Sequence, residues 1–369
     1  MSKIKKATRR DSGIELLKII SIIMIVISHA TPDGNIAKHA SAVDITYAGQ
    51  NIQLFFTSLL HNLGQIGNVI FIACSSYFLI DSTKTKVKKM LYIAGDCLAI
   101  SILMYVLLTL VFGFHHSTAY TIRQFFPLLY VNNWFIPCYL LVYSLHPIMN
   151  AAIKNINQKQ HLTLVLIFLI IYSFIHTVII HVAFYNRLLA FIGIYFTIGY
   201  IKIYMNESAI SKKHNIILLI CGTVGWIVTM LITNFTPNGV MLNWNTMVNP
   251  WFIIMALSAF NLSKGMSFYN TTINYISGMS LYIYVIHCNR IVRDKVRFVY
   301  YDIIKDAFGY DNLIFWIMVY SLITLAASVI LSIIYNSLIR ERVNRLADLV
   351  GKPIEKIYNN IVNAVIKLK

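Results

Sequence analysis

Residues 9–30 read RRDSGIELLKIISIIMIVISHA, an apolar run whose interior carries the ionisable residues Glu15, Lys18 and His29. The hydrocarbon core of a bilayer is about 30 Å thick, and about 20 apolar residues in a helix cross it. Ionisable side chains inside such a helix are costly, so they usually face a bundle interior or a water-filled cavity. The run therefore predicts a membrane-spanning helix that also carries a functional site.

Helical periodicity places these side chains on one face of the predicted helix. At about 100° per residue, the eleven steps from Lys18 to His29 return the side chain to nearly the same direction. At about 1.5 Å per residue the two residues lie roughly 16 Å apart along the axis, which is more than half the thickness of a hydrocarbon core. The stripe on this face consists of Asp11, Glu15, Lys18, Ile22, Ile25 and His29.

Two interpretations of this stripe are open. The stripe lines an interior cavity, or the Glu15–Lys18 pair and His29 extend to opposite membrane surfaces, as polar side chains near helix ends do. The shared face favours the cavity, because side chains that extend to opposite membrane surfaces need not lie on the same face of the helix.

The composition of the whole chain is that of an integral membrane protein. Its 369 residues are 58% hydrophobic and 12% charged, with a mean hydropathy of +0.67, whereas soluble domains carry about 25% charged residues. The length allows about ten spans of about 20 residues, so the predicted fold is an all-α bundle of about ten transmembrane helices. The net charge of +17 is concentrated in loops, which argues against nucleic acid as a partner and indicates topology and anionic headgroups.

The cysteines predict neither a disulfide framework nor a metal site. All of them lie in apolar segments without CxxC spacing, so we interpret them as small core residues. They are Cys74, Cys97, Cys138, Cys221 and Cys288.

The distribution of basic residues predicts the topology. The spans are predicted at 14–30, 51–80, 90–113, 134–151, 162–183, 187–204, 214–233, 247–262, 273–292 and 312–336. With the N-terminus in the cytoplasm, 22 of the 31 Lys and Arg residues fall in cytoplasmic parts and 8 in outward loops, the bias typical of membrane proteins. We therefore expect both termini on the cytoplasmic side of a cell membrane, such as a bacterial inner or plasma membrane.

The end of the chain differs from the rest. Residues 337–369 alternate apolar and charged side chains at helical spacing, which predicts an interfacial helix on the cytoplasmic membrane surface. The chain is accordingly divided into a membrane domain, 1–340, and a basic amphipathic tail, 341–369.

Four sequence patterns together resemble those of one family. The patterns are the spacing from Arg9 or Arg10 through Glu15 and Lys18 to His29, then FIACSSYFLI at 71–80 with the basic loop 83–89 behind it, WFIPCYLLVYSLHPIMN at 134–150 and SLYIYVIH at 280–287. In these patterns the chain resembles the acyltransferase 3 family of integral membrane O-acyltransferases. It departs from the family at Ser76, where glycine is usual, and in the basic loop, where lysines replace the commoner arginines.

The resemblance implies an enzyme that moves an acyl group, in the first place acetyl, from cytoplasmic acetyl-CoA or another acyl-CoA. The implied acceptor is a hydroxyl of an extracytoplasmic carbohydrate or a lipid-linked sugar. His29 is the implied general base, since an imidazole, with an unperturbed pKa near 6.5, accepts a proton at neutral pH. Lys18 supplies a fixed positive charge near the phosphates or the thioester, and Glu15 keeps Lys18 charged and aimed.

The resemblance also implies two groups of binding residues. The phosphates of the donor are expected at Arg9, Arg10, Lys86, Lys88 and Lys89, although plain positive-inside topology explains the lysine run equally well. The substrate cavity is expected to be lined by Ser75, Tyr77, Trp134, Ser280, Tyr284 and His287, with His287 as a cavity-lining or structural residue rather than a second base.

A transporter or flippase of an anionic or lipid-linked solute is the alternative function, in which the stripe would line a translocation path. One basic run, RIVRDKVRF at 290–298, lies in an outward loop against the general bias. Nearby aspartates nearly balance its charge, or the run helps to hold an anionic acceptor. The acceptor, the acyl chain and the oligomeric state are left open.

Overall fold

The computed structural model describes residues 11–32, 52–129, 134–178, 185–205, 211–235, 246–309 and 312–367. Every regular element within these ranges is helical, which confirms the all-α fold class. The predicted phosphate ligands Arg9 and Arg10 lie outside the described residues.

The helices are numbered here in chain order. They are α1 (Ser12–Ala30), α2 (Ile52–Leu79), α3 (Val87–Phe112), α4 (Thr118–Phe125), α5 (Phe135–Asn155), α6 (Gln158–Ile167), α7 (Arg187–Tyr204), α8 (Lys212–Phe235), α9 (Pro250–Lys264), α10 (Thr271–Gly278), α11 (Ser280–His287), α12 (Arg297–Phe308), α13 (Leu313–Leu338) and α14 (Arg340–Lys367). A π-helical segment, Phe168–Ile175, and a last turn, His176–Val178, extend α6, and a second π-helical segment, Val292–Val296, leads into α12.

Seven helical segments of the described chain are long and apolar enough to cross a membrane, so the protein is a multi-pass membrane protein. They are Ser12–Ala30, Val87–Phe112, Phe135–Asn155, Gln158–Val178, Arg187–Tyr204, Lys212–Ile232 and Leu313–Leu338.

The predicted count of ten spans is not confirmed. The other three predicted spans correspond to α2, α9 and the α10–α11 pair. α2 has 28 residues but contains the polar run HNLGQIGN at 61–68. α9 has only 15 residues, and α10 and α11 have 8 each, separated at Met279.

Helix α1 lies at the centre of the bundle, in contact with α2, α9, α10, α11 and α13. Its first turn is capped by the carboxylate of Asp11, which accepts from the backbone N–H of Gly13 at 2.9 Å, as N-cap residues do. The backbone N–H of Asn270 donates to the hydroxyl of Ser12 at 2.8 Å, tying this end of α1 to the start of α10. The predicted first span is therefore a helix fixed at its N-terminus.

The polar run HNLGQIGN at 61–68 contains Gly64 and Gly67, and from the sequence these glycines predict either a broken or a closely packed helix. Helix α2 runs unbroken past both. A Cβ atom placed on Gly67 would lie 2.6 Å from the carbonyl oxygen of Ser21, and one on Gly64 would overlap the side chain of Ser28. The glycines thus let the backbones of α1 and α2 approach closely, as small residues do between membrane helices. The close-packed alternative is confirmed.

The C-terminal helix α14 packs on the start of α3. Asp348 forms an ion pair with Lys88 at 2.8 Å and accepts from the hydroxyl of Tyr92 at 2.7 Å. The hydrogen bond from Lys88 lowers the pKa of the Asp348 carboxyl. Apolar side chains of α14, among them Leu349 and Ile357, remain exposed. The helical character of the tail is confirmed, while its place on the membrane surface and the boundary at residue 340 stay predictions.

The close approach of α1 and α2 predicts that Gly67→Val destabilises the fold. The added side chain would overlap the backbone of α1, and such overpacking typically costs about 1–3 kcal/mol. The matched control is Gly265→Ala, because a Cβ there lies no closer than 3.5 Å to any neighbouring atom. In thermal unfolding of the detergent-solubilised protein, Gly67→Val should lower the Tm and Gly265→Ala should not. Equal Tm values for the two variants would contradict the packing described here.

Candidate functional site

The stripe on α1 lines two separate cavities. Glu15, Lys18, Ile22 and Ile25 line a cavity of about 280 Å³, called here the Lys18 cavity. His29 lines a second cavity of about 600 Å³, called here the His29 cavity. The stripe therefore faces a cavity at both ends, as predicted, but the single interior cavity that its shared face predicted is divided into two.

The Lys18 cavity is organised around a buried carboxylate. Glu15 is 4% exposed, and its two oxygens lie 3.4 Å from the Nζ of Lys18. The hydroxyl of Ser277, in α10, also donates to Glu15. A buried charge is tolerated only when it is paired and hydrogen-bonded, so the pair and the hydroxyl together explain how Glu15 remains inside the bundle.

Several predicted site residues lie in this cavity. It is lined by Ser75 of α2, Lys89 of α3, and Ser280 and Tyr284 of α11. These residues come from the consecutive helices α2 and α3 and from α11, which is far from both in sequence. The structure thus brings together part of the predicted donor and substrate sets around Lys18.

Polar lining residues that were not among the predicted site residues include Asp96, Tyr92 and Arg340. Asp96, left without an assigned partner by the sequence, accepts from the hydroxyl of Tyr335 at 2.6 Å. The guanidinium of Arg340 lies 5.6 Å from the ring centroid of Tyr282, and it adds a third cation to the cavity wall, after Lys18 and Lys89. Of these three residues, only Asp96 could have been singled out from the sequence, because it is an acidic residue inside an apolar segment.

Other predicted residues lie elsewhere. Lys88 is paired with Asp348 outside the cavity, and Lys86 does not line it. Tyr77 lines a third cavity, where the Nζ of Lys202 lies 4.1 Å from its ring centroid. The predicted cluster of Lys86, Lys88 and Lys89 is therefore divided, with only Lys89 facing Lys18.

The His29 cavity has a polar and basic wall. Besides His29, its lining includes the predicted residue Trp134. The other lining residues were not predicted as site residues, and they include His61, Asn68, Tyr185, Arg187, Cys288, Arg290, Arg293 and Asp294. The sequence singles out the basic run at 290–298, but it does not predict that this run lines the same cavity as His29.

A chain of contacts connects His29 to the backbone of α11. Nδ1 of His29 lies 3.3 Å from the sulfur of Cys288, and that sulfur lies 3.5 Å from Nε2 of His287. Nδ1 of His287 lies 2.6 Å from the carbonyl oxygen of Ile283. His287 lines neither the Lys18 cavity nor the His29 cavity, and its predicted role as a cavity-lining or structural residue stays a prediction. Cys288, interpreted from the sequence as a small core residue, is also a contact of His29.

The chemistry of these contacts assigns the tautomer of His29. A carbonyl oxygen only accepts, so the Nδ1–H of His287 donates to Ile283, and Nε2 of neutral His287 is left as an acceptor. The thiol of Cys288 can then donate to His287, and its sulfur can accept from the Nδ1–H of His29. Under this assignment the lone pair of His29 is on Nε2.

The end of α1 that carries His29 is held by α12. Nη1 of Arg297 donates to the carbonyl oxygens of His29 and Thr31, at 2.9 and 2.8 Å. The hydroxyl of Tyr301 donates to the carbonyl oxygen of Ala30 at 2.8 Å. The last carbonyls of a helix have no partner within the helix, and a positive charge is favoured at this end. Arg297 and Tyr301 therefore fix the position of His29.

The two cavities share no lining residue, so the described side chains do not leave one continuous channel. Ile25 faces the Lys18 cavity and Ser28 the His29 cavity, and the adjacent residues Phe135 and Trp134 are divided in the same way. Tyr284 lies at this boundary, because it lines the Lys18 cavity and also interacts with the Cys288 thiol.

Comparison with known proteins gives one match. A family model described as an acyltransferase domain, of the acyltransferase 3 type, matches residues 11–333. No curated protein and no solved structure matches the chain. The matched range includes α1, both cavities except Arg340, and the whole contact chain from Ile283 to His29.

The contacts at the end of α1 predict that Arg297→Met lowers stability. The substitution keeps the length of the side chain but leaves two buried carbonyls without their donor, at a cost of about 1–3 kcal/mol for each unsatisfied group. The control is Arg345→Met, since the side chain of Arg345 is 75% exposed and its one ion pair among the described residues is with Glu341 on the same helix. Such a surface pair contributes little to stability. Thermal unfolding in detergent should show a lower Tm for Arg297→Met alone. An unchanged Tm for Arg297→Met would show that the guanidinium does not hold α1.

Proposed function

Because the chain belongs to the acyltransferase 3 family, whose domain covers nearly all of it, we propose that this membrane acyltransferase moves an acetyl group from cytoplasmic acetyl-CoA to a carbohydrate hydroxyl. The hydroxyl belongs to an extracytoplasmic or lipid-linked saccharide. The observation that supports this most directly is the stripe on α1, which presents a charged pair to one cavity and an imidazole to another.

The donor is assigned to the Lys18 cavity. Lys18, Lys89 and Arg340 place three cations on its wall, and cations bind phosphate oxygens through charge-assisted hydrogen bonds. Glu15 and Ser277 hold Lys18 in place, so its ammonium group can stay directed at the phosphates or at the thioester carbonyl. Lys88 is assigned to the α3–α14 contact instead, because Asp348 already pairs with it.

The acceptor is assigned to the His29 cavity. Nε2 of His29 takes the proton of the acceptor hydroxyl while the oxygen attacks the thioester carbonyl. The carbon–sulfur bond then breaks, the acyl group stays on the acceptor, and the leaving thiolate of coenzyme A takes the proton from Nε2 of His29, which returns the imidazole to its neutral form. His287 and Cys288 are positioning residues in this scheme, since they act through His29.

Transfer requires that the boundary between the cavities opens. Phe135 and Tyr284 lie against each other on the wall of the Lys18 cavity, with ring centroids 5.7 Å apart. Their displacement would let the acyl end of the donor approach His29. The binding energy of the donor would supply this movement, and it would keep water away from the thioester until both substrates are present.

The orientation follows from the charge distribution. The basic N-terminus, the loop before α3 and α14 are assigned to the cytoplasm, since positive residues concentrate there. In this orientation the Lys18 cavity receives the cytoplasmic donor and the His29 cavity faces the outer side of the cell membrane. Helix α14 then lies on the cytoplasmic surface of the bilayer.

The role of His29 predicts that His29→Ala removes transfer. Loss of a general base typically lowers kcat by about 10²–10⁴-fold. The assay follows acetylated acceptor and free coenzyme A thiol in membranes that contain equal amounts of each variant. The control is His115→Ala, an exposed histidine in the loop before α4, which should retain wild-type activity. Transfer by His29→Ala at the wild-type rate would refute the role, and solute uptake without thiol release would favour a transporter.

The contact chain predicts a difference between two substitutions at Cys288. Cys288→Ser keeps one donor and one acceptor and should retain most activity, whereas Cys288→Ala breaks the chain that fixes the tautomer of His29. One hydrogen bond is worth about 0.5–1.5 kcal/mol, so Cys288→Ala should lower kcat roughly 2–12-fold.

The KM for the acceptor separates this role from a structural one. We expect kcat to fall in Cys288→Ala while the KM for acceptor and the Tm stay close to their wild-type values. If Cys288→Ser and Cys288→Ala lose activity equally, or if both lose Tm, the thiol does not act through the tautomer of His29.

A further inference from the structure

The wall of the His29 cavity carries more positive than negative charge. Arg187, Arg290 and Arg293 line it, together with the single carboxylate of Asp294. Nε of Arg290 donates to that carboxylate at 2.8 Å, so this pair is neutral by itself. The charges of Arg187 and Arg293 remain, and no carboxylate among the described residues forms an ion pair with either of them.

Arg187 is held by neutral aromatic groups. Its guanidinium lies 4.7 Å from the ring centroid of Trp134, and Tyr185 lies beside it on the same wall. An aromatic face orients a guanidinium without neutralising it. The arrangement therefore keeps a full positive charge on the cavity wall, next to a flat ring of the kind against which sugars pack.

Arg293 is the arginine of this cavity whose charge acts on the proposed base. Its charge acts on His29, His287 and Cys288. Its Nε atom is buried and has no hydrogen-bond partner among the described residues. A buried donor without a partner is costly, so a ligand that supplies an acceptor to this atom would bind favourably.

The topology supplies an independent observation. Arg290 and Arg293 belong to the basic run at 290–298, which the charge distribution places on the outer side, where lysine and arginine are disfavoured. Charges kept against this bias need a reason other than topology. Their position on the wall of the His29 cavity provides one.

We propose that the acceptor carries an anionic group, a phosphate or a carboxylate, close to the hydroxyl that is acylated, and that Arg293 and Arg187 bind this group. The proposal rests on the proposed function only in that the bound molecule is the acyl acceptor, because anion binding itself can be measured without the donor. Arg293 would then fix the distance between the anionic group and the hydroxyl at His29, and so select which hydroxyl reacts.

A metal ion is the competing occupant of the same region. His29, His287 and Cys288 offer ligand atoms that all lie within 4.8 Å of one another, and this set of ligand types suits Zn²⁺. The fixed charge of Arg293 opposes a divalent cation at this place and favours an anion. The structure therefore favours the anionic acceptor, and Zn²⁺ becomes one outcome of the test.

The test is a binding titration of the purified full-length protein without acyl-CoA. The probes are glucose 1-phosphate, methyl glucuronide and neutral methyl glucoside, with ZnCl₂ in a separate titration. The variants are Arg293→Gln and, as the control, Arg345→Gln on exposed α14. A hydrogen bond to a charged group is worth about 1.5–3 kcal/mol, which corresponds to about a 10–100-fold change in Kd.

We expect at least one anionic sugar to bind about tenfold or more tightly than methyl glucoside, because one such bond accounts for that ratio. Arg293→Gln should remove this preference and Arg345→Gln should keep it. A preference for glucose 1-phosphate would identify the anionic group of the acceptor as a phosphate, and a preference for methyl glucuronide would identify it as a carboxylate.

Equal binding of all three sugars, or a preference unchanged in Arg293→Gln, would overturn the proposal, as would Zn²⁺ binding that Cys288→Ser abolishes. These outcomes are separate from failure of the proposed function. That failure would show as unchanged acyl transfer in His29→Ala, or as uptake without thiol release, whatever the sugars do.

Discussion

A carboxylate inside a membrane bundle must be paired, and the pairing of Glu15 with Lys18 and Ser277 is the interaction on which the site depends. It fixes the direction in which one face of α1 points, because the partner hydroxyl comes from α10. The same face then carries Ile22, Ile25 and His29 into the interior. The glycines of α2 allow its backbone to lie directly against α1. Helix α2 also lines both cavities, with Ser75 in the Lys18 cavity and Asn68 in the His29 cavity.

The local part of this arrangement could be predicted from the sequence. The stripe, the helix that carries it and the close contact at Gly64 and Gly67 depend on spacings within a few turns, which helical geometry determines. The resemblance to the acyltransferase 3 family, drawn from four short patterns, is confirmed by the match over residues 11–333. Composition was sufficient for the membrane class but not for the number of spans, since short, broken and polar helices such as α9, α10 and α2 take part in the same bundle.

The long-range part of the site could not be predicted. Ser277 meets Glu15 across 262 positions, Cys288 meets His29 across 259, and Arg297 meets the end of α1 across 268. No local pattern encodes such pairs. Cys288 and Asp96 were visible as polar or reactive residues in apolar segments, but their partners, His29 and Tyr335, are set by the packing of whole helices. The division of the stripe between two cavities likewise depends on aromatic side chains of α5 and α11. The helical periodicity of α1 carries no information about the positions of these side chains.

The two cavities differ in their charged residues, and this difference agrees with the proposed transfer between two compartments. Cations line both cavities. The Lys18 cavity holds two acids, Glu15 and Asp96, and the His29 cavity holds one, Asp294, which pairs with Arg290. The most direct test of the account is a structure of the protein with a non-hydrolysable acetyl-CoA analogue. We predict that the phosphates lie beside Lys89 and Arg340. The acyl end should extend past Phe135 and Tyr284 and leave room for only the acceptor hydroxyl between it and Nε2 of His29. An analogue bound with its acyl end remote from His29, or outside the Lys18 cavity, would contradict the account.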